Sequence, residues 1–317
     1  MKRDLDPISG KCIEVGLTVG LFEALGKTPQ KLEALAAACG CSERGLKPLL
    51  DLLASAGLLR IKDGGYKLAS GAMRYIKGRF SSEWAAFPLI PEYQELETAV
   101  RTGAPTRLPV EGEDDGGAFF SQVVPVLFDL HLPDAEFLAE HLPDGLRSAL
   151  DLGAGSAVWS LALAARRPGV RVVAVDRAQV LEKATAVYVD RFEVGEQYEL
   201  RAGDYHTVPL EEGEYDLVLL GHLLHADGWE ASRALLARSW EALKPGGVVA
   251  VAEIVAGEPR SAHYASNVFD LNMLMLTEHG TVFTARELEG LVTEAGFADL
   301  AWLQGPGDYP TLIARKA

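Results

Sequence analysis

The sequence predicts an α/β protein in which a doubly wound, mostly parallel sheet follows a smaller, mostly helical N-terminal domain. Residues 148–317 alternate short apolar runs with amphipathic stretches, which is typical of a parallel sheet covered by helices on both faces. The first 80 residues instead show helical periodicity followed by a hairpin pattern. The charge divides in the same way, because residues 1–80 carry a net +5 and the remaining 237 residues carry −20. Such an asymmetry favours two domains.

The composition narrows the class of protein. The chain has 317 residues, of which 48% are hydrophobic and 24% charged, and this excludes disorder, collagen and coiled coil. No stretch approaches the roughly 18 apolar residues of a membrane-spanning helix, and the first nine residues lack an apolar signal region. The three cysteines Cys12, Cys39 and Cys41 are an odd number without the spacing of a metal site. We therefore expect a cytoplasmic, unanchored chain with free thiols and no metal.

Residues 1–80 form the first predicted domain. Three helices are expected, at Ile13 to Leu25, Pro29 to Gly40 and Ser42 to Gly57. Pro at a helix start, Ser at an N-cap and Gly beyond a helix end each suit those positions. The run LLRIK-DGG-YKLAS then reads as a hairpin. This order is typical of a winged-helix domain, which is a fold and not yet a function.

A winged helix with a basic excess raises the possibility of DNA binding. The helix from Ser42 would enter the major groove. Its basic residues are Arg44 and Lys47, and Glu43 and Asp51 balance them, so it offers little attraction to phosphates. The sequence therefore favours a dimer-packing module without nucleic acid over a DNA-binding regulator.

Residues 81–145 are predicted to form a helical linker beside the second domain. Phe128 lies in an apolar helical stretch that ends near Pro143. Such a segment is suited to cover a substrate, and Phe128 is a candidate for the pocket wall. Apolar side chains in such a stretch are more often part of the core than ligand contacts, so a core role for Phe128 remains open.

The second predicted domain, 146–317, carries acidic residues where its first three strands end. The first strand runs into Asp151-Leu-Gly153-Ala-Gly155, the second ends at Asp176, and the third ends in Gly-Asp204-Tyr205. Glycines at the first turn allow a ligand to approach the backbone, and carboxylates bind polar groups of a ligand. Asp176 suits ribose hydroxyls, a feature shared by nicotinamide and other nucleoside binders, while Asp204 and Tyr205 suit the amino group and ring of adenine.

These motifs resemble the S-adenosylmethionine site of the class I methyltransferases. The resemblance implies a Rossmann-like, seven-stranded sheet whose cofactor contacts are Asp151, Gly153, Gly155, Asp176, Asp204 and Tyr205. With the winged-helix domain, nearly the whole chain resembles the small-molecule O-methyltransferases of the plant and bacterial type, which include the acetylserotonin and caffeic acid enzymes. That family implies a homodimer formed through the N-terminal domain, a small-molecule acceptor, and S-adenosylhomocysteine as the product.

The same resemblance places the catalytic histidine on His225 in LLHADGW and its orienting carboxylate on Glu253. The ends of the first and fourth strands open onto one crevice in a doubly wound sheet, so His225 is expected to face the cofactor turn. An imidazole is a suitable base near neutral pH for a phenolic hydroxyl. Glu253 would hold the imidazole tautomer. Ordinary structural roles for both residues remain open.

The sequence departs from the family pattern in places that bear on the chemistry. A second carboxylate is expected where Val282 stands, and Glu278 or His279 is the candidate replacement. HAD replaces His-Asp-Trp around His225, and Ala157 replaces the last glycine of the cofactor turn. The stretch DLNMLML resembles the family's substrate-side helix. Three side chains are therefore candidates for the pocket wall: Asn272 and Met273 in this stretch, and Phe269 directly before it.

Three functions therefore remain in competition. The first is O-methylation of a small aromatic hydroxyl with His225 as the base. The second keeps the cofactor but methylates nitrogen or carbon, or does not transfer a methyl group, and the altered segment 278–284 permits it. The third is a DNA-binding regulator, which the neutral helix after Ser42 disfavours.

Overall fold

A computed structural model describes residues 6–26, 28–73, 76, 93–106, 115–307 and 309–317. The chain divides into two compact units that are discontinuous in sequence: Met1–Leu108 with Ala256–Thr284, and Pro109–Val255 with Ala285–Ala317. Residues 81–92 and 107–114 of the predicted linker lie outside the described residues. The domain boundaries predicted at 80 and 145 remain a prediction.

The first unit contains a helical cluster with a hairpin. Its helices and strands are α1 (Pro7–Thr18), α2 (Leu21–Ala24), α3 (Leu32–Cys39), α4 (Glu43–Ser55), β1 (Leu59–Lys62), β2 (Gly65–Leu68), α5 (Leu96–Thr102) and the later α11 (Tyr264–Leu276). Ser42 caps α4 by accepting a hydrogen bond from the Gly45 amide, and Gly40 ends α3 in the left-handed conformation, as predicted. The first predicted helix is instead broken at Gly20, whose φ of 74° separates α1 from α2.

Helix α4 is the core of this unit. Its leucines at 46, 49, 50, 52 and 53 are fully buried, and Asp51 is buried with them. The Asp51 carboxylate accepts hydrogen bonds from Lys47 at 2.9 Å and from the Tyr66 hydroxyl at 2.7 Å, so the buried charge is paired. A helix enclosed in this way is not exposed for insertion into a DNA groove.

Gly45 in α4 provides a test of this packing. A Cβ there would collide with the backbone carbonyls of Ala99 and Val100 at the end of α5. We expect Gly45→Ala to lower the free energy of unfolding by about 3 kcal/mol, because backbone atoms have to move. The matched control is Gly290→Ala, in another helix, where a Cβ meets nothing within 4 Å. Urea denaturation should show the control stabilised by about 1 kcal/mol from helix propensity. Equal behaviour of the two variants would contradict the packing described.

The second unit contains the sheet. Its elements in chain order are α6 (Asp115–His141), β3 (Ser148–Leu152), α7 (Val158–Arg166), β4 (Arg171–Asp176), α8 (Ala178–Val180), α9 (Ala186–Arg191), β5 (Tyr198–Ala202), β6 (Tyr215–Gly221), α10 (Leu224–Ala242), β7 (Leu243–Ala252), α12 (Ala285–Glu294), β8 (Phe297–Leu303) and β9 (Thr311–Lys316). A π-helical turn at Leu181–Thr185 joins α8 to α9.

The seven strands lie in the order β5-β4-β3-β6-β7-β9-β8. The first five are parallel, and β9 pairs antiparallel with both β7 and β8. Leu150, Leu217 and Val249 in the central strands are fully buried, which explains their continuous apolar runs. The predicted fold class is therefore confirmed, including the reversal of strand order between β3 and β6. Residues that follow these two strands lie at the same edge of the sheet.

Candidate active site

The turn after β3 has a glycine-rich backbone that a ligand can approach closely. Gly153 and Gly155 have φ values of 62° and 55°, in the left-handed region. A Cβ on Gly153 would also lie 2.5 Å from the Leu223 side chain, so glycine is required both by the backbone and by the space available. The Gly155 amide donates to Asp176 Oδ2 at 2.8 Å, which ties the turn to the end of β4.

Ala157 ends the turn in the left-handed conformation at φ 59°. Its methyl group is fully buried at the start of α7. A non-glycine residue in this region stores backbone strain of about 1 kcal/mol. Such strain is found at functional sites more often than elsewhere, which fits a turn built for a ligand.

Asp151 is buried at the end of β3. Its side chain is 2% exposed, and its Oδ2 accepts a hydrogen bond from the Ser160 hydroxyl, which in turn accepts one from Tyr198. Burial, opposed by the Ser160 bond and reinforced by Asp176, raises the pKa of Asp151 to about 7. A direct role toward the cofactor stays a prediction.

The raised pKa of Asp151 makes stability depend on pH. The carboxyl group of Asp has a pKa of about 3.9 in the unfolded chain, so the folded state binds this proton more tightly. The protonated Asp151 therefore stabilises the folded state, and this stabilisation is lost as pH rises from about 4 to about 7. We expect Asp151→Asn to gain about 2 kcal/mol relative to the wild type between pH 5 and pH 7. Urea denaturation across that range measures it, with the exposed Asp144→Asn as control. Parallel pH curves for the wild type and Asp151→Asn would contradict the assignment.

The loop after β5 meets the start of α10 through a shared carboxylate. Asp227 Oδ1 accepts hydrogen bonds from the Tyr205 hydroxyl at 3.0 Å and from His206 Nε2 at 3.1 Å. Asp204 is exposed and accepts a bond from the His206 amide at 2.8 Å. Tyr205 was predicted from the sequence as a site residue, whereas His206 and Asp227 were not. In HAD the acid follows His225 by two positions, whereas in the family's His-Asp-Trp pattern it follows by one. This difference was the sequence feature that could have indicated Asp227.

His225 and Glu253 form a buried pair across the ends of β6 and β7. His225 Nδ1 lies 2.7 Å from Glu253 Oε2, while Glu253 Oε1 accepts the Leu224 amide at 2.8 Å. The two residues are 8% and 1% exposed. With Glu253 ionised, Nδ1 carries the proton and Nε2 holds the lone pair, which is the tautomer a base requires.

A cluster of aromatic rings lies beside this pair. The imidazoles of His131 and His222 stack at 4.1 Å between centroids, and the Tyr309 ring packs edge-on against both. His222 lies 6.0 Å from His225 and has a left-handed backbone at φ 59°. Burial lowers the pKa of His131 to about 4 and that of His222 in the same direction. Both rings are therefore neutral near pH 7.

The described residues contain one group of side chains that could hold a metal ion, and it includes His225. One ligating atom from each of His222, His225 and Glu253 lies within 4.8 Å of the others, the single such group among the described residues. The His225–Glu253 hydrogen bond already joins two members of this set. The expectation that no metal is present stays a prediction.

The predicted pocket residues fall in both units. In the sheet unit, Phe128 is 2% exposed and stacks on Tyr188 at 4.1 Å. In the helical unit, Met273 is buried, Phe269 is half-buried, and Asn272 accepts a hydrogen bond from the Tyr93 hydroxyl at 2.7 Å. Their roles toward a substrate remain predictions.

Glu278 and His279, the candidate replacements for the family's second carboxylate, lie in the helical unit. Both are exposed, and they face each other at 3.9 Å. Val282 is fully buried, and its amide donates to the buried Asp270 at 2.8 Å. The catalytic role of Glu278 remains a prediction.

Comparison with known proteins decides the family. Residues 129–298 match the O-methyltransferase domain, and residues 8–78 match the O-methyltransferase dimerisation domain. The chain belongs to the O-methyltransferase family. It is therefore an O-methyltransferase, and the resemblance found in its sequence is confirmed.

Relatives from several organisms match almost the whole chain. The tetracenomycin polyketide synthesis 8-O-methyl transferase TcmO of Streptomyces glaucescens is 28% identical, over 93% of this chain and 90% of its own length. The 3-hydroxy-5-methyl-1-naphthoate 3-O-methyltransferase of Streptomyces sahachiroi is 26% identical, over 96% and 91%. Both relatives are therefore similar to this O-methyltransferase over about nine-tenths of their own length.

Solved structures agree with the fold. An O-methyltransferase family 2 protein from Planctomyces limnophilus, in complex with apigenin, has a TM-score of 0.79 at 19% identity, covering 98% of this chain and 92% of its own. Human N-acetylserotonin methyltransferase in complex with S-adenosylmethionine has a TM-score of 0.62 at 22% identity, covering 100% of both chains. Within the described part of this O-methyltransferase, no helix has the length and apolar character to cross a membrane.

Proposed function

We propose that this O-methyltransferase transfers the methyl group of S-adenosylmethionine to a phenolic hydroxyl of a small aromatic molecule, with His225 as the general base. The methyl donor is S-adenosylmethionine, as the sequence predicted. The observation that carries the proposal is the 2.7 Å hydrogen bond between His225 Nδ1 and the buried Glu253 carboxylate. That bond leaves Nε2 as the proton acceptor.

The reaction is an in-line displacement. The acceptor oxygen attacks the methyl carbon, the carbon–sulfur bond breaks, and S-adenosylhomocysteine leaves. The hydroxyl proton passes to His225 Nε2, and Glu253 stabilises the imidazolium that forms. Positioning the acceptor oxygen against the methyl group supplies much of the remaining acceleration.

The phenolic class of acceptor rests on two considerations. One relative is, by its name, a 3-O-methyltransferase of a 3-hydroxynaphthoate, whose hydroxyl is aromatic, and a structural neighbour was crystallised with apigenin. A phenol of pKa about 10 is also within reach of an imidazole base, whereas an aliphatic alcohol is far less acidic.

We further propose that residues 8–78 form a homodimer, because they match a dimerisation domain. Light scattering on the eluted protein should give twice the mass of the 34.1 kDa chain. A monomer at micromolar concentration would contradict this.

The test of function uses a methyl donor labelled with deuterium and a panel of phenols, anilines and carbon acids. Mass spectrometry and NMR identify the atom that carries the label. We expect an O–CD₃ product from a phenol. A label on nitrogen or carbon would favour the second function considered from the sequence, and binding of S-adenosylhomocysteine without transfer to any phenol would count against the phenolic proposal.

A further inference from the structure

We infer that Asp227 is a cofactor-binding residue whose Oδ2 accepts a hydrogen bond from the 6-amino group of the adenine ring. The inference rests on the proposed function only for the presence of S-adenosylmethionine, not for the acceptor or the base. It assigns a role to the acid of the HAD sequence, which the family pattern did not explain.

The two oxygens of Asp227 have different surroundings. Oδ1 receives both the Tyr205 hydroxyl and His206 Nε2. Oδ2 is buried and has no hydrogen-bond partner among the described residues. The side chain as a whole is 7% exposed. A buried carboxylate oxygen without a donor is costly, so its position indicates a ligand that brings one.

The electrostatics point to a donor and not to a further anion. Burial raises the pKa of Asp227, the Tyr205 and His206 contacts oppose that shift, and Glu253 adds to it. An N–H group placed on Oδ2 would stabilise the ionised carboxylate further, because charge-assisted hydrogen bonds are about twice as strong as neutral ones.

The position of Asp227 points to adenine. Its partners Tyr205 and His206 lie in the loop after β5, where the sequence places the adenine ring, while the ribose is expected at Asp176 after β4. The adenine 6-amino group carries two N–H donors, and the sulfonium carries none. Asp204 and Asp227 together provide one carboxylate for each of these two N–H donors.

The backbone explains why the acid stands at 227 and not at 226. Gly228 leaves the helical conformation with φ 72° and ψ −168°, so α10 is interrupted directly after Asp227. Glycine tolerates that conformation at little cost. Ala226 is exposed, and a carboxylate there would remain in solvent, whereas position 227 is enclosed by Tyr205 and His206.

Calorimetry on the full-length protein tests the inference with two probes. S-adenosylhomocysteine carries the 6-amino group, and S-inosylhomocysteine carries an oxygen there. We expect the wild type to prefer the first by at least about tenfold, since a hydrogen bond to a charged group contributes about 1.5–3 kcal/mol. In Asp227→Asn, the affinity for S-adenosylhomocysteine should fall by at least about tenfold and the preference should largely disappear. The exposed Asp144→Asn should behave as the wild type.

Three results would overturn the inference. The first is an Asp227→Asn variant with wild-type affinity and wild-type preference for S-adenosylhomocysteine over S-inosylhomocysteine. The second is loss of this preference when only Asp204 is replaced by asparagine. The third is equal binding of the two probes by the wild type. If circular dichroism shows that Asp227→Asn does not fold, the Asp204→Asn variant decides. A preference for S-adenosylhomocysteine that persists in Asp204→Asn requires another acceptor for the 6-amino group, such as Asp227. Wild-type protein that binds S-adenosylhomocysteine but methylates no phenol would contradict the proposed function and leave this inference standing.

Discussion

Replacing His225 by alanine is expected to lower kcat for a phenolic acceptor by roughly 10²- to 10⁴-fold, the usual contribution of a positioned base. The affinity for S-adenosylhomocysteine should stay close to that of the wild type, because the proposal gives His225 no bond to the cofactor. Steady-state methyl transfer measures the first quantity and calorimetry the second. The effect should therefore fall on kcat and not on cofactor binding.

Two controls separate chemistry from structure in this experiment. Added imidazole should restore part of the rate to His225→Ala, because the vacated space next to Glu253 accepts a free base. His141→Ala removes an exposed imidazole at the end of α6, a residue with no proposed part in the reaction, and should leave the rate unchanged. A His225→Ala enzyme with wild-type kcat would remove this residue from the mechanism.

Glu253→Gln is expected to cost nearly as much in kcat, roughly 10²- to 10⁴-fold. The amide oxygen of glutamine can still accept the Leu224 amide, as Glu253 Oε1 does now. Its NH₂ group would then donate to His225 Nδ1, which places the ring proton on Nε2 and removes the lone pair that accepts the substrate proton. The imidazolium would also lose its counter-charge.

The comparison with Glu253→Asp shows whether charge or shape matters. A shorter carboxylate keeps the charge but cannot span Leu224 and His225 equally well, so we expect an intermediate kcat. KM for the acceptor should change little in either variant, because Glu253 touches His225 and not the substrate in this account. Retained kcat in Glu253→Gln, with the fold intact by its melting temperature, would show that tautomer control is not needed.

Local patterns were sufficient to predict most elements of the sheet unit. The strands at 148–152, 171–176 and 215–221 were predicted from apolar runs, because buried parallel strands have few polar residues. The strand at 198–202 was predicted in the same alternation, although it lies at the edge of the sheet and none of its residues is buried. Strand order also placed the residues that follow β3 and β6 at the same edge of the sheet. Gly153 was identified because a glycine at this turn allows a ligand to approach the backbone.

Other features depend on contacts between distant parts of the chain, and the sequence could not indicate them. Residues 256–284 join the N-terminal unit through α11, which packs on α4. The burial of Asp151 depends on Ser160 and Tyr198, which follow it by 9 and 47 positions. The pairing of Asp227 with Tyr205 and His206 crosses about 21 residues. No periodicity encodes contacts of this kind.

The most direct test of His225 as the base compares two phenols in the wild type and in His225→Ala. One has a pKa of about 10, and the other is a nitrophenol that is already ionised at the assay pH. An ionised acceptor has no proton to remove. The account predicts a loss of roughly 10²-fold or more for the first phenol and little loss for the nitrophenol. Equal losses for the two would contradict it, because His225 would then act by something other than proton removal.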